Sequence, residues 1–292
     1  MVTGGSGRLG RSVVAVLAEA GHEVVSVDRS SHPDGAARHV ACDLSDPGAT
    51  AALFAEVRPD AVVHLAAIAV PFGRPDPELY ATNTGLAFSV LEASLSAGVG
   101  ALLFASSPTV IGYGAPGGWA PEYLPLDERH PLAPWNGYSL SKQAVEGIAA
   151  MAVRAHGDRL RIGVFRPCYV IAPEEWSGAP TQQGHTVSER LDDPELSAVA
   201  LFNYVDARDA GDFVLAWLAH AHDVPNGSTF FVGAPDSLAR EPISDLVARY
   251  RPELAAALGG SPAVFSSALA ETLLGWRASR TWRTELALEG SS

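Results

Sequence analysis

The sequence predicts an α/β fold with a doubly wound parallel sheet and a smaller carboxyl-terminal lobe. Three observations lead to this prediction. Strand-like and helix-like segments alternate over residues 1–166. The segments 60–66 and 101–106 are continuous apolar runs, which are typical of parallel strands buried on both faces. A glycine-rich turn follows the first strand and opens the first helix, as at the ligand-binding edge of many such sheets.

Each helix or strand is assigned from the spacing at which its apolar residues recur. Val2 and Thr3 end a strand, and residues 8–20 have a helical period that Gly21 ends. The elements after it are a strand at 22–27, a strand at 60–66, a helix at 78–97, a strand at 101–106, a Gly-, Pro- and Trp-rich loop at 112–137, a helix carrying Tyr138, and a strand at 161–165. After Pro167 the sequence predicts a polar, irregular segment at 172–200, a helix at 206–221, a short strand at 228–232 and a helix at 242–258. Right-handed crossovers through the helices make the strands one parallel sheet. Because almost nothing precedes Thr3, we expect the first strand to be very short or to start upstream of Met1.

Composition limits the possible partners. With 292 residues, 47% of them hydrophobic, the chain can bury a large core. The net charge of −13 argues against nucleic acid or an anionic membrane as a partner. No apolar run approaches the roughly 20 residues of a spanning helix, and no signal-like segment begins the chain, so we expect a cytoplasmic protein. The histidines lack metal-ligand spacing, so we predict no metal site.

The turn between the first strand and the first helix reads Gly4-Gly-Ser-Gly-Arg-Leu-Gly10. Glycines at positions 4, 7 and 10 allow a tight turn and a close approach of backbone to a diphosphate. The helix N-terminus then offers N–H groups to the phosphates. The turn therefore predicts a Rossmann-like dinucleotide site, with the cofactor contacts Gly4, Gly7, Arg8, Leu9 and Gly10.

Asp28 ends the second strand, where a carboxylate accepts hydrogen bonds from the adenosine ribose hydroxyls. This placement favours NAD, because a 2′-phosphate would meet a like charge. Arg8 and Arg29 could reduce that repulsion, so NADP remains the less favoured alternative.

The chain contains a single lysine, Lys142, four residues after Tyr138. Residues four apart share one face of a helix. We expect the ammonium to lower the phenol's pKa from about 10 towards the working range of a general acid or base. Ser107 ends a predicted strand and can hydrogen-bond a reacting oxygen, with Ser106 as the alternative serine. These residues predict catalysis by Ser107, Tyr138 and Lys142.

Together these motifs resemble those of the extended short-chain dehydrogenase/reductases, the NAD-dependent epimerase/dehydratase family. The segments that carry the resemblance, in order, are Thr3–Gly10, Asp28, Cys42–Leu44, His64–Ala67, Asn83, Phe104–Ser107, Tyr138 with Lys142, Arg166–Pro167, Asn203–Asp206, Leu274–Trp276 and Trp282–Arg283. They span nearly the whole chain. The resemblance implies a Rossmann domain at 1–166 and a substrate-binding lobe at 167–292, some elements of which return to the first domain.

The resemblance also implies several site residues. Ser107 is preferred to Ser106 because it lies five residues before Gly112, as the family's serine does before its motif glycine. Lys142 would also hold the nicotinamide ribose, and Asn83 would be structural. The further cofactor contacts that it implies are Asp43 and Leu44 at the adenine, Leu65, Ala66 and Ala67 along the cleft, and Pro167 and Val170 near the carboxamide.

Two differences from the family's motifs limit the reactions that this chain could catalyse. Ile111 stands where the family has a tyrosine, so one polar substrate contact is missing. Pro108 and Thr109 stand where the 4,6-dehydratases have Asp and Glu, which disfavours a dehydratase. A sugar or nucleotide-sugar epimerase and a dehydrogenase that releases NADH both remain open.

The chain is short and its lobe has few basic residues to bind a diphosphate, which favours a smaller substrate. The segments Phe104–Ser107 and Ile111–Tyr113 resemble those of uronate dehydrogenases, with Arg190 as the candidate for the carboxylate. The predicted substrate contacts are Ser107, Pro108, Gln182, His185 and Arg190. A dinucleotide-sensing regulator without turnover is the alternative from another class, although such proteins commonly lack the Tyr/Lys pair.

The helices at 78–97 and 138–156 are rich in Ala, Leu and Val. The resemblance implies that two copies pair these helices into a four-helix bundle. We therefore predict a homodimer.

Overall fold

A seven-stranded parallel sheet forms the centre of the protein, which confirms the predicted fold class. The computed structural model describes residues 1–30, 37–71, 73–255 and 257–289. The strands are β1 (Val2–Thr3), β2 (Val25–Asp28), β3 (Arg38–Ala41), β4 (Ala61–His64), β5 (Ala101–Ala105), β6 (Arg161–Pro167), β7 (Val170–Ile171), β8 (Val205–Asp206) and β9 (Thr229–Val232). The sheet has the order β3-β2-β1-β4-β5-β6-β9, and β7 pairs separately with β8.

Helices cover both faces of the sheet. They are α1 (Arg8–Glu19), α2 (Pro47–Val57), α3 (Asp76–Ala97), α4 (Gly137–His156), α5 (Pro173–Trp176), α6 (Val187–Asp192), α7 (Glu195–Ala198), α8 (Ala207–His220), α9 (Ile243–Tyr250), α10 (Pro252–Ala255), α11 (Ala268–Leu274) and α12 (Trp282–Glu289). On one face α1 packs against α8, and on the other α2, α3 and α4 pack side by side. Two apolar cores result, one around Val13 and Phe213 and the other around Phe54 and Leu91. In the described ranges we find no helix that is both long and apolar enough to cross a membrane.

The strand order fixes where a ligand can bind. The chain leaves β1 towards β2 on one side, while β4 continues the sheet on the other side. A crevice opens at such a switch point, outside the carboxyl ends of the strands. The glycine turn after β1, Asp28 at the end of β2 and Ser107 just beyond β5 all follow these ends.

Several elements differ from the sequence predictions. The strand expected at 22–27 begins only at Val25. The segment 172–200, expected to be irregular, contains the short helices α5, α6 and α7. The helix expected at 242–258 ends at Tyr250, because Pro252 forces Arg251 out of the helical region, with φ at −146°. Neither β3 nor α2 was predicted, although Asp46 caps α2 through the N–H groups of Gly48 and Ala49.

Candidate active site

The glycine turn is packed too closely for side chains. A Cβ on Gly4, whose φ is +72°, would lie 2.7 Å from the backbone nitrogen of Ala66. A Cβ on Gly10 would lie 2.1 Å from the carbonyl oxygen of Gly4. Gly7 is the N-cap of α1 and has no side chain, so no side-chain cap occupies the N–H groups of the first turn. This arrangement fits a dinucleotide diphosphate.

Asp28 lies beside this turn, with its carboxylate held by backbone donors. Oδ1 accepts from the Arg29 N–H at 2.7 Å, and Oδ2 accepts from the Ser6 N–H at 3.2 Å. The carboxylate is therefore fixed at the carboxyl end of β2, where the sequence predicts ribose recognition. Arg29 itself is exposed.

The other predicted cofactor residues border the same edge of the sheet. Leu44 is buried, and Leu65, Ala66, Ala67, Pro167 and Val170 are half-buried. Asp43 is exposed, and hydrogen bonds from Ser45 lower the pKa of its carboxyl. All seven residues immediately follow strands of the sheet or lie in β6 and β7, so their position fits the predicted cleft.

Arg8 points towards helix α5. It pairs with the buried Glu175 of α5, and Arg11 pairs with the neighbouring Glu174. Trp176, the next residue, donates from Nε1 to Asp206 at 2.7 Å. Helix α5 therefore joins the glycine turn to the N-terminus of α8.

Tyr138, Lys142 and Ser107 converge at the end of β5. Helix α4 starts with a capping box between Asn136 and Ser139, which places Tyr138 and Lys142 in its first two turns. Lys142 Nζ donates to the Ala105 carbonyl oxygen at 2.9 Å and lies 5.9 Å from the centre of the Tyr138 ring. The Ser107 side chain lies near the Tyr138 hydroxyl and lowers the pKa of that phenol.

Burial controls the titration of this pair. Burial raises the pKa of Tyr138, and the interaction with the Ser107 side chain acts in the opposite direction. Burial also lowers the pKa of Lys142 to about 8. The expectation that Lys142 lowers the phenol's pKa was therefore wrong for this structure: both groups lie in the interior, and desolvation is the largest effect on each.

The two candidate serines have different partners. Ser106 Oγ donates to Glu146 Oε1 at 2.6 Å, so its hydroxyl is directed away from Tyr138. Ser107 Oγ accepts from the Thr109 hydroxyl at 2.9 Å, and the Ser107 side chain lowers the pKa of Tyr138. This geometry favours Ser107 for the proposed contact with a reacting oxygen.

Sequence reasoning missed Glu146 and Arg166 as part of this site. Arg166 donates from Nε to Glu146 Oε1 and from Nη2 to Oε2, both at 2.8 Å. The only sequence signal for Glu146 is its position one helical turn after Lys142. Asn83 connects α3 to the site, as it accepts from the Ile68 N–H at 2.8 Å and donates to Ser141 Oγ at 3.0 Å.

His64 lies beneath Lys142 at the end of β4. Its Nδ1 is 2.8 Å from the Thr3 hydroxyl, and its ring meets the edge of Phe104. Burial, assisted by the nearby Lys142 charge, lowers the pKa of His64 to about 3. His64 is therefore a neutral packing residue. In the ranges that the structure describes, no three His, Cys, Asp or Glu side chains come together as a metal site.

The predicted substrate residues of the lobe lie in different environments. Gln182 and His185 are exposed, and Gln182 Nε2 lies 3.4 Å from the carbonyl oxygen of Ala69. Pro108 is buried in the turn after Ser107. Arg190 is 1% exposed, donates to the Leu196 carbonyl oxygen at 2.7 Å and stacks 4.7 Å from the Tyr169 ring centre. Its packing supports the lobe, and a contact with substrate remains a prediction.

Comparison with known proteins agrees with this architecture. A sequence model of the NAD dependent epimerase/dehydratase family matches residues 1–233. UDP-glucose 4-epimerase of Azospirillum brasilense is 33% identical over 166 residues, covering 54% of this chain and 46% of that protein. The human UDP-glucose 4-epimerase is 34% identical over 167 residues, covering 50% and 46% respectively. The chain thus matches about half the length of these curated relatives.

Solved structures match over a greater length. A UDP-galactose 4-epimerase is 26% identical, with a TM-score of 0.69, over 99% of this chain and 98% of that one. A short-chain dehydrogenase/reductase superfamily protein from Agrobacterium tumefaciens with bound NAD is 23% identical, with a TM-score of 0.74, over 99% and 95%. The second likeness establishes the fold alone.

Proposed function

The chain belongs to the NAD dependent epimerase/dehydratase family, and we propose that it is an NAD-dependent enzyme that interconverts a secondary alcohol and its ketone on a sugar. Epimerisation of a nucleotide sugar is the leading reaction. The observation that carries the proposal is the convergence of Ser107, Tyr138 and Lys142 at the end of β5.

These side chains have complementary chemical roles. Tyr138 exchanges a proton with the substrate oxygen through its phenolic oxygen as the alcohol and the ketone interconvert. Ser107 hydrogen-bonds the same substrate oxygen. Lys142, held by the Ala105 carbonyl oxygen, orients the ribose of the cofactor. When bound, NAD supplies the acceptor for the hydride.

The residues around the glycine turn fit this cofactor. Gly4 and Gly10 allow the turn to pack against the backbone of Ala66 and of Gly4, and this tight turn brings the start of α1 to where a diphosphate would bind. The fixed carboxylate of Asp28 suits two ribose hydroxyls and opposes a 2′-phosphate, which supports NAD over NADP. Glu175 already neutralises Arg8, the arginine nearest the turn.

An epimerase is the leading reaction because the matching relatives are UDP-glucose 4-epimerases. A dehydrogenase acting on a smaller sugar, such as a uronate, is the second candidate. One observation favours it: arginines of the lobe pair with carboxylates of the lobe itself and so are not committed to a substrate diphosphate. These pairs are Arg208 with Asp206, Arg240 with Asp192, Arg249 with Glu241, Arg277 with Glu271, Arg280 with Asp209, and Arg283 with Asp236.

We also propose a homodimer formed through α3 and α4. Tyr80 and Phe88, on one face of α3, are 40% and 45% exposed although both are large and apolar. With Thr84 they line a shallow groove completed by Ala144, Gly147, Ile148 and Met151 of α4. A second copy of this apolar face would cover the groove.

Stoichiometry separates the candidate functions. The purified protein is incubated with NAD and either UDP-galactose or galacturonate, while the sugars and the NADH absorbance are followed. Appearance of UDP-glucose without net NADH supports the epimerase, and net NADH from galacturonate supports the dehydrogenase. Tight NAD binding without turnover across a wider sugar panel would instead favour a dinucleotide sensor.

A further inference from the structure

Three consecutive residues at the end of β5 each face a different turn of α4. Ala105 accepts from Lys142, Ser106 donates to Glu146, and Ser107 lies near Tyr138 and lowers the pKa of its phenol. Tyr138, Lys142 and Glu146 follow one another at intervals of four residues and so share one face of the helix. The helix is thereby held in register with the end of the strand.

Glu146 also connects α4 to a second strand, β6. Its two carboxylate oxygens accept from Nε and Nη2 of Arg166, both at 2.8 Å, in a bidentate pair. Arg166 lies in β6 beside the end of β5, since the Ser106 N–H donates to the Phe165 carbonyl oxygen at 2.7 Å. The Arg166 guanidinium also stacks 5.1 Å from the ring centre of Phe231 in β9.

The pair is almost completely enclosed. Side-chain exposure is 3% for Arg166 and 11% for Glu146. Nη1 of Arg166 has no hydrogen-bond partner among the residues that the structure describes. Glu146 is therefore the direct counter-charge of a buried cation, and the geometry of the pair is rigid because its ions cannot exchange freely with water.

We infer that Glu146, held by Arg166, is a positioning residue that sets the register of Tyr138 and Lys142 against Ser107. This inference rests on the proposed function for its effect on turnover. It gives Ser106 a role as well, because its hydroxyl connects the strand to the carboxylate. A shift of about 1 Å at a reacting group can reduce turnover roughly 100-fold.

The single lysine allows a test that does not depend on turnover. In protein labelled with ¹³C-lysine, the side-chain spectrum contains one residue, Lys142, and Lys142→Arg confirms its assignment. The groups that face Lys142 are Tyr138 on α4, His64 at the end of β4 and the Ala105 carbonyl of β5. We expect Glu146→Gln to shift the Lys142 signal, since α4 loses its hydrogen bond to Ser106 at the end of β5.

The double variant Glu146→Leu/Arg166→Met tests whether the effects of Glu146→Gln arise only from unfolding. Removing both charges avoids the unpaired buried arginine that Glu146→Gln would leave, while the hydrogen bond to Ser106 is lost. We expect its Lys142 signal to be displaced and its kcat to fall 10- to 100-fold, with the KM for UDP-galactose and the Kd for NAD changed less than threefold. Val62→Ala, a cavity variant in the buried strand β4, is the control: it should lower Tm and leave the Lys142 signal in place.

An unchanged Lys142 signal in both Glu146 variants overturns the positioning role, whatever happens to turnover. Wild-type protein that is inactive on every sugar tested, combined with a displaced signal in the variants, counts against the proposed function and supports the positioning role. The two proposals therefore fail separately.

Discussion

Lys142 donates a hydrogen bond of 2.9 Å from its Nζ to the backbone carbonyl oxygen of Ala105. The bond ties the only ε-ammonium of the chain to the last residue of β5, immediately before the two serines. It also orients the ammonium beneath the Tyr138 ring, 5.9 Å from the ring centre. The proposed proton transfer depends on this arrangement.

Tyr138→Phe removes the proposed proton carrier and leaves the ring. We expect kcat to fall by roughly 10²- to 10⁴-fold because general acid–base catalysis contributes about that much. Binding of NAD, followed by calorimetry, should be nearly unchanged. Tyr250→Phe, the same change on α9 in the lobe, is the control and should retain activity. Substantial turnover in Tyr138→Phe would exclude the assigned role.

Lys142→Met should stabilise the protein at neutral pH while it abolishes turnover. The pKa of Lys142 is about 8 in the folded protein against an ordinary 10.5. Below pH 8 both states bind the proton, and the folded state carries the full cost of a buried charge. Between pH 8 and pH 10.5 the unfolded state binds more protons, so the wild type gains stability as pH rises.

The expected gain of Lys142→Met is up to about 3 kcal/mol at pH 7, since one pKa unit corresponds to about 1.4 kcal/mol. The gain should shrink towards zero near pH 10.5, the upper end of this window. Urea unfolding of both proteins at the two pH values measures it. A difference that is independent of pH would contradict the assigned titration.

Asp28→Asn tests the choice of cofactor. A hydrogen bond to a charged group contributes about 1.5–3 kcal/mol, so we expect the Kd for NAD to rise 10- to 100-fold. The ratio of NADP to NAD affinity should increase because the like charge is gone. Asp46→Asn, at the exposed N-cap of α2, should leave both Kd values unchanged. If Asp28→Asn weakened the binding of NAD and NADP equally, the carboxylate would serve only to hold the turn.

Gly10→Ala and Gly85→Ala are the same substitution in two environments. At Gly10 the new methyl would lie 2.1 Å from the carbonyl oxygen of Gly4, whereas at Gly85, in α3, no atom lies within 4 Å. We expect Gly10→Ala to displace α1 from the turn and to weaken NAD binding at least 10-fold. Gly85→Ala should raise stability by about 0.4–1 kcal/mol. Normal NAD binding by Gly10→Ala would show that the turn tolerates a side chain.

Phe88→Glu tests the homodimer. The new carboxylates would face each other across the α3 and α4 surface of a chain with net charge −13, so we expect the mass in light scattering to fall from two chains to one. Val199→Glu introduces the same group at an exposed apolar residue of the lobe and is the control. A wild-type mass of one chain would refute the proposed dimer.

The sequence predicts the sheet well because its central strands are continuous apolar runs, as in β4 and β5. It does not predict β3, whose edge position leaves polar and partly exposed residues such as Arg38. It also misses the short helices of the lobe, since four to six residues are too few for a period to emerge. The turn of the main chain at Pro252 could have been predicted, because proline rarely continues a helix.

The candidate site could also be predicted only in part. Tyr138 and Lys142 are identified by spacing, and Ser107 by its distance from Gly112. The pKa of Tyr138 could not be predicted, because it depends on burial that only the packed structure creates. The pairing of Glu146 with Arg166 could not be predicted from the sequence either, since it joins a helix to a strand 20 residues further along the chain.

The enclosure of Lys142, which is 5% exposed, has a chemical consequence for the whole molecule. With no other lysine in the chain, the other basic side chains are arginines. Amine-directed reactions such as acetylation, ubiquitin attachment and aldehyde cross-linking therefore find no exposed lysine as a target. An acylating reagent that does modify a lysine side chain must have entered the cleft, so its reaction reports on access to the catalytic centre.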